Sequence, residues 1–172
     1  MQLLTIFAGL VFIIHTSSAA VAAPEKVRRI VTVIDADSAR VLADGHGGRV
    51  IELNGSRITR LWETEGLPVS LDVTEDAGAS AGNAYRDGFV GSSLYVADIP
   101  PGSDLEDIPL HAQDSIDYIA VLDGEIELHL PDQVVLMREG DILVQAGNRH
   151  SWVNPSDHWC RLMVVVQTGE RR

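Results

Sequence analysis

The chain has 172 residues, the length of one domain, and 45% of them are apolar, which is enough for a buried core. Its net charge of −12 comes from 25 acidic and 13 basic residues. This charge excludes the attraction on which binding to nucleic acid or to an anionic membrane surface depends. The single cysteine, Cys160, excludes an internal disulfide and a CxxC metal site, and its apolar neighbours predict a buried, unreactive thiol.

The N-terminus resembles a secretory signal. Residues 3–14 are an apolar run that is too short for a membrane-spanning helix, which needs about 20 residues. A small-residue A-x-A pattern follows at 20–22, so we predict a signal peptide over 1–22, a secreted or periplasmic protein, and no stable membrane insertion after processing. A signal peptide usually begins with Lys or Arg, and positions 1–2 have neither. Two other interpretations therefore stay open: an uncleaved anchor, or an incorrectly assigned start, in which case the protein would be cytoplasmic.

The segment 23–90 is predicted to form N-terminal strands and a loop that pack on a barrel. Residues 27–35 and 39–45 are rich in β-branched residues, and 48–66 reads as two strands around Asn54 and Gly55, a strong hairpin dipeptide. Residues 68–74 alternate in the manner of a further strand. Residues 75–92, rich in Gly, Ala, Asp and Ser, are predicted to be a long loop that acts as a lid, a subunit contact or a plain surface excursion.

The segment 91–172 is predicted to form the barrel core. Residues 115–130 give two strands that meet at Asp123 and Gly124, and further alternating stretches follow at 133–147, 150–154 and 160–167. No apolar pattern holds a helical period for more than two turns. Short strands with Gly, Asn, Asp and Pro turns predict an all-β antiparallel sandwich or barrel.

A set of polar residues shares strand parity with the predicted core. His111, Gln113 and Asp117 fall on one face of their strand, and His150 and Trp152 share a face of a later strand. Polar groups inside a small barrel are costly unless they are satisfied, and a bound metal satisfies them. Two imidazoles and a carboxylate with open positions suit Fe²⁺, and Mn²⁺ also fits.

The other histidines have simpler interpretations. His46 and His158 lie in polar turns and are predicted to be solvated. His129 alternates with the apolar residues of its strand, so it is predicted to be exposed. None of the three is a candidate ligand.

The polar set resembles the two metal motifs of the cupin superfamily, the double-stranded β-helix proteins. His111 stands at the first histidine of the first motif, and Gly124 at its closing glycine. His150 and Asn154 stand at the histidine and asparagine of the second motif, which Gly140 opens. The resemblance implies a jelly-roll-like barrel of the small, single-domain cupin-2 type, with extra N-terminal strands.

The chain departs from the cupin motifs at three positions. Gln113 replaces a histidine, Asp117 replaces a glutamate and Gln145 replaces a proline. Gln113 could be a weak oxygen ligand or a hydrogen-bonding partner of the substrate. Asp117 could bind the metal or orient His111.

The resemblance favours a metal-dependent enzyme, with His111, Asp117 and His150 as metal ligands and Gln113 and Asp117 as catalytic residues. It implies oxidoreductase or dioxygenase chemistry, or decarboxylase or isomerase chemistry, on a small oxygenated substrate of aromatic or polyketide-like type. The ion would be Fe²⁺ or Mn²⁺, with Zn²⁺ and Ni²⁺ as alternatives. The other hypothesis is a cupin that binds or senses a small ligand without turnover. The resemblance also suggests a homodimer formed through the N-terminal strands.

Overall fold

The structure, a computed structural model, describes residues 21–35, 38–80 and 88–171. These ranges consist mainly of β-strands, as the sequence predicted. The elements in chain order are β1 (Arg29–Asp35), β2 (Ser38–Gly45), β3 (Arg49–Leu53), β4 (Ser56–Glu65), α1 (Ala77–Ser80), β5 (Gly91–Ile99), β6 (Ser115–Asp123), β7 (Glu125–Leu130), β8 (Gln133–Arg138), β9 (Ile142–Ala146), β10 (Ser151–Val153) and β11 (Cys160–Thr168).

Two antiparallel sheets enclose the core. One has six strands in the order β3-β4-β5-β11-β6-β9, and the other has three in the order β10-β7-β8. Alternate residues of facing strands fill the space between the sheets, because successive side chains of a strand point to opposite faces. The buried apolar cluster draws on both sheets and includes Ile119, Val121, Ile126, Leu128 and Leu162. Burial of each such side chain stabilises the fold by about 1.5–3 kcal/mol.

The two predicted hairpin turns are confirmed. Asn54 and Gly55 join β3 to β4 with positive φ values of 48° and 80°, the backbone conformation that a tight hairpin turn requires. Gly124 joins β6 to β7 with a φ of 77°, and a Cβ there would lie 2.6 Å from the carbonyl oxygen of Trp159. Only glycine fits both the dihedral and the close approach of the neighbouring backbone.

The N-terminal strands belong partly to the main sheet. β4 pairs with β5 and so carries β3 and β4 into the six-stranded sheet, whereas β1 and β2 pair only with each other among the described strands. Asp98, whose side chain is fully buried, accepts hydrogen bonds from Arg57 and Arg161. The same two guanidinium groups donate to the carbonyl oxygens of Pro24 and Glu25, each over 2.6 Å, so the segment before β1 is fixed to the sheet.

Two sequence predictions in the N-terminal part have different outcomes. The strand predicted at 68–74 is absent. Val69 and Leu71 are exposed, so the alternation there does not mark a buried face. The predicted loop at 75–92 contains α1, and Asp76, the residue before α1, forms an ion pair with Arg29. Residues 81–87 of the loop lie outside the described residues.

The predicted signal peptide falls almost wholly on residues 1–20, which also lie outside the described residues. None of the helical segments in the described ranges is long and apolar enough to cross a membrane.

Candidate metal and substrate cavity

A cavity of about 680 Å³ opens between the two sheets, and β3 and β4 contribute to its wall. Its walls are mainly apolar, and its polar groups come from several separate elements. The lining includes Ile51, Ile58, Arg60, Tyr95, Ala97, Ile108, His111, Gln113, Asp117, Ile119, His150, Trp152 and Leu162. The candidate residues that the sequence singled out therefore share one cavity with each other.

His111 and His150 meet in this cavity. They form an isolated antiparallel bridge outside the longer strands, in which the amide of each donates to the carbonyl oxygen of the other. Their ring centroids are 4.4 Å apart and the ring planes are tilted by 55°. The sequence predicted His111 on the same strand as Asp117, but β6 begins only at Ser115. The bridge, which lies outside the strands, places His111 and His150 directly opposite one another.

The hydrogen bonds of the two rings define their tautomers. Nδ1 of His111 lies 2.9 Å from the carbonyl oxygen of Pro109, and Nδ1 of His150 lies 3.0 Å from that of Asn148. A carbonyl oxygen only accepts, so each Nδ1 carries the proton and donates it. In the neutral rings, Nε2 then keeps a free lone pair, the form in which imidazole binds a metal.

Burial keeps the ring of His150 neutral. The side chain is 4% exposed, and this burial lowers its pKa from the usual value, with a smaller lowering from the neighbouring His111. The hydrogen bond to Asn148 opposes that shift. Neutral imidazole is therefore the form of His150 near pH 7, since even its unperturbed pKa is about 6.5.

Asp117 lies on β6 with its side chain inside the cavity. It is 5% exposed, and Ser115 Oγ donates to its Oδ1 over 2.7 Å. Burial raises the pKa of this carboxyl, while the hydrogen bond from Ser115 and the nearby His111 lower it by smaller amounts. Its second oxygen, Oδ2, has no hydrogen bond from any described residue.

Gln113 brings an unsatisfied acceptor to the same cavity. Its Oε1 is buried and has no donor among the described residues. A buried carbonyl oxygen without a donor costs about 1–3 kcal/mol, so its position favours a ligand that supplies a hydroxyl, an amide or a cation.

The assignment of His111, Asp117 and His150 as metal ligands stays a prediction. Among the residues that the structure describes, no group of at least three His, Cys, Asp or Glu side chains is placed to hold an ion. The Nε2 atoms of the two imidazoles have no hydrogen bond from a described residue, and the unpaired Oε1 of Gln113 lies in the same cavity. Asp117 shares the cavity but does not complete a three-residue cluster with them.

Sequence reasoning missed two buried polar residues. Arg60, on β4, lines the cavity opposite Tyr95 in the register of β4 and β5. Gln145, on β9, lies directly across from Asp117, is 3% exposed, and leaves both amide atoms without a partner among the described residues. The motif mismatch at Gln145 was a usable signal, whereas nothing in the local pattern distinguished Arg60 from a surface arginine.

The remaining histidines lie outside the cavity. His46 and His158 are exposed, as predicted. His129 was predicted to be exposed as well, but it is half-buried, and its Nε2 lies 2.9 Å from Glu127 Oε2. Trp152, by contrast, is buried in the cavity wall, with its ring 6.1 Å from that of His150.

Two further residues of the motif region support the fold. Asn154 is fully buried, and its Nδ2 donates to the carbonyl oxygens of Ile99 and His158. Cys160 is fully buried as predicted, and burial is the main reason why its pKa rises to about 12. Neither side chain lines the cavity.

Comparison with known proteins identifies the domain. The family model of the cupin domain matches residues 95–166, which contain both histidines and most of the strands from β5 to β11. The cupin domain of Cnp3 from Schizosaccharomyces pombe superposes with a TM-score of 0.52 and 15% sequence identity, over 84% of this chain and 89% of that one, which shows a common fold. Residues 95–166 therefore resemble a cupin domain, and the predicted all-β cupin barrel is confirmed.

The curated relatives are fungal proteins. Phomopsin biosynthesis cluster protein C′ of Diaporthe leptostromiformis is 40% identical over 78 residues, which are 44% of this chain and 40% of that protein. Oryzines biosynthesis cluster protein J of Aspergillus oryzae is 33% identical over 85 residues, 43% of this chain and 45% of that protein. A cupin-domain-containing oxidoreductase of Neurospora crassa is 31% identical over 99 residues, 55% of this chain and 47% of that protein. The chain thus spans less than half the length of these relatives.

Proposed function

We propose that this cupin domain is a metal-dependent oxidoreductase that acts on a small oxygenated molecule held in its cavity. The observation that carries the proposal is the pair formed by His111 and His150, whose Nδ1 atoms are both occupied as donors to carbonyl oxygens. That arrangement leaves the Nε2 atoms of both rings without a hydrogen bond from a described residue, so both are available to a cation or to a hydrogen-bond donor of a ligand.

The relatives support the reaction class but not a substrate. The Neurospora crassa relative is named as an oxidoreductase, and the Diaporthe and Aspergillus oryzae proteins are named for biosynthesis clusters. All of them match over less than half of their own length. Oxidoreductase chemistry on a small biosynthetic intermediate, aromatic or polyketide-like, is therefore the proposal, and decarboxylase or isomerase chemistry is the alternative within the same site.

His111 and His150 would hold the ion, with Gln113 Oε1 or the carboxylate of Asp117 as a further oxygen donor. Fe²⁺ or Mn²⁺ suits this nitrogen and oxygen set best, with Zn²⁺ and Ni²⁺ as alternatives. A divalent ion there supplies Lewis acidity and, if it is iron, access to oxygen chemistry.

The protein groups around the histidines would orient the substrate. Gln113 Oε1 accepts a hydrogen bond from a substrate hydroxyl. Asp117 Oδ2, which Ser115 leaves free, accepts or returns a proton at that hydroxyl. The apolar walls, including Ile58, Ile119 and Trp152, exclude water and strengthen these polar contacts.

Elemental analysis tests the proposal. The full chain, purified without chelator, should contain Fe, Mn, Zn or Ni, or should take up one of these ions on titration. A protein that contains none of these metals and takes up none would overturn the metal-dependent function.

A second function, binding of a small ligand without turnover, is favoured by one observation. The described residues offer no cluster of three strong metal-binding side chains, so the site is weaker than the complete cupin motif. For this function, ligand affinity should be the same in chelator-treated and metal-loaded protein.

A further inference from the structure

Arg60 is a buried cation in the wall of the cavity. It lies on β4, directly opposite Tyr95 of β5, and Ser56 and Ile58 of β4 line the cavity beside it. The Arg60 side chain is 6% exposed. It therefore presents its charge to the cavity and not to the solvent.

The guanidinium of Arg60 has almost no partner. Its Nε has no hydrogen bond, and Nη1 has only a long contact of 3.4 Å to Ser93 Oγ. Its central carbon lies 5.6 Å from the centroid of the Tyr95 ring, a weak cation–π contact. No carboxylate among the described residues forms an ion pair with it.

The other arginines with little exposure, the buried Arg29 and the half-buried Arg57 and Arg161, all have an acidic partner. Arg29 forms a two-pronged ion pair with Asp76, and Arg57 and Arg161 both bind the buried Asp98. Each of these charges is compensated, as buried charges in proteins generally are. Arg60 alone, in the part of the chain that the structure describes, is an arginine this deeply buried without an anion.

We propose that Arg60 is the receptor for a carboxylate of the substrate. The planar fork of guanidinium donors matches a carboxylate in two parallel hydrogen bonds, and such charge-assisted bonds are strongest where water is excluded. The inference rests on the proposed function in taking the cavity as the substrate site, and it narrows the substrate to a small organic acid. The cost of burying the guanidinium is offset when the acid arrives.

The placement of the polar groups describes the rest of the ligand. Arg60 and Tyr95 belong to β4 and β5, whereas His111 and His150 form their bridge just before β6 and β10, with Gln113 two residues after His111. Apolar side chains, among them Ile58, Ile119 and Trp152, line much of the same cavity. A molecule with a carboxylate, an apolar or aromatic body and a hydroxyl group would satisfy Arg60, the walls and Gln113 together.

Calorimetric titration of the chelator-treated full chain tests the carboxylate receptor without a need for metal or turnover. The probes are matched acids and amides of equal shape: propionate and propionamide, benzoate and benzamide, phenylacetate and phenylacetamide. At least one acid should bind about 10-fold or more tightly than its amide, because a hydrogen bond to a charged group contributes about 1.5–3 kcal/mol. If no acid binds more tightly than its amide, the proposal is wrong.

Three variants assign the preference to Arg60. Arg60→Gln should remove the preference for acids, and Arg60→Lys should retain part of it because the positive charge stays. Arg49→Gln is the matched control: Arg49 lies opposite Arg60 in the register of β3 and β4, but it is exposed and outside the cavity lining. It should retain a clear preference for the acids, because only Arg60 of this pair lines the cavity.

The outcomes separate the receptor from the metal site and from simple misfolding. Circular dichroism and a cooperative thermal transition establish which variants are folded. If Arg60→Gln does not fold, the acid preference of Arg60→Lys is compared with that of Arg49→Gln, and only Arg60→Lys should show a reduced preference. An acid preference that survives in a folded Arg60→Gln protein, or that Arg49→Gln removes equally, would overturn the role of Arg60. Metal uptake with no acid preference refutes the receptor alone. Acid preference without any metal uptake refutes the metal-dependent function alone.

Discussion

The backbones of His111 and His150 are directly hydrogen-bonded: the amide of His111 donates to the carbonyl oxygen of His150 over 2.9 Å, and the reverse bond spans 2.8 Å. This bridge holds the two Cα atoms independently of either side chain, and each ring is further oriented by a carbonyl oxygen of its own loop. Removal of one ring should therefore leave the other in place.

His150→Ala and His111→Ala should each retain the fold and lose most of the metal. The expected loss of affinity exceeds about 100-fold, because removal of a residue that only orients a ligand already costs about 10–100-fold. Metal content per chain, measured by elemental analysis, checks this. His158→Ala is the control, since His158 is exposed and outside the cavity. Undiminished metal in both single variants would place the ion elsewhere in the molecule.

Asp117→Asn should change the pH dependence of stability in chelator-treated protein. Burial raises the pKa of Asp117, so the carboxyl stabilises the fold while it is protonated. Its contribution is fully present below the unfolded value of about 3.9 and is lost as the pH rises through the raised pKa. Asparagine does not titrate, so the variant should not lose stability in this way. The free energy of unfolding of the variant minus that of the wild type should therefore increase with pH over that window.

Urea unfolding of both proteins at a series of pH values measures the effect. Asp72→Asn is the matched control, because Asp72 is exposed and outside the cavity. A constant difference between Asp117→Asn and the wild type across the range would show that burial does not perturb this carboxyl.

The same variant also reports on the metal. A loss of about 10–100-fold in affinity is expected if Asp117 only orients its neighbours, and a complete loss if it is a ligand.

The strands and turns near the site could be predicted because their signals are local. Alternation in β6 and β7 follows from burial of one strand face, and Asn54, Gly55 and Gly124 occupy turn positions whose φ values the residue types themselves indicate. His111, Gln113 and Asp117 do line one cavity, but His111 and Gln113 precede β6, which begins at Ser115, so a shared strand face is not what brings the three side chains together.

The parts of the site that the sequence did not predict depend on contacts between distant segments. Arg60 faces the cavity because β4 pairs with β5, and no local pattern shows which face of β4 that pairing turns inward. The alternation at 68–74 failed as a strand signal for a related reason. A strand needs a partner, and no described strand pairs with this segment, in which Val69 and Leu71 are exposed. Local sequence thus predicts most of the strands, but it does not predict which strand faces line the cavity.

Cys160 should be unreactive in the folded protein. Burial is the largest cause of the rise in its pKa to about 12, and the nearby Asp123, Asp98 and Glu125 add to it. At about pH 8, where an exposed thiol is partly ionised, almost no thiolate is present at this site. A disulfide reagent such as Ellman's should therefore modify the native chain only as fast as it unfolds, and should modify it at once in concentrated urea. Fast modification under native conditions would show that the core around Cys160 opens locally.

Gln145→Met should stabilise the protein. Both amide atoms of Gln145 are buried without a partner among the described residues, on a strand that pairs with that of Asp117. An unsatisfied buried polar group costs about 1–3 kcal/mol, and methionine replaces the amide with an apolar group of similar length. The free energy of unfolding should therefore rise by about 1 kcal/mol or more. Gln133→Met is the control, since Gln133 is an exposed glutamine that lines the same surface hollow as Gln145.

The two glutamine variants also separate a packing defect from a binding role. If the amide of Gln145 serves only to fill space, Gln145→Met should raise stability and leave metal uptake and the acid preference of the cavity unchanged. If the amide contacts a ligand, the variant should gain stability and lose affinity for the probe, because the group that is costly without a ligand is the one that the ligand satisfies. A fall in stability would contradict both alternatives, since it would mean that the amide already has partners in the folded chain.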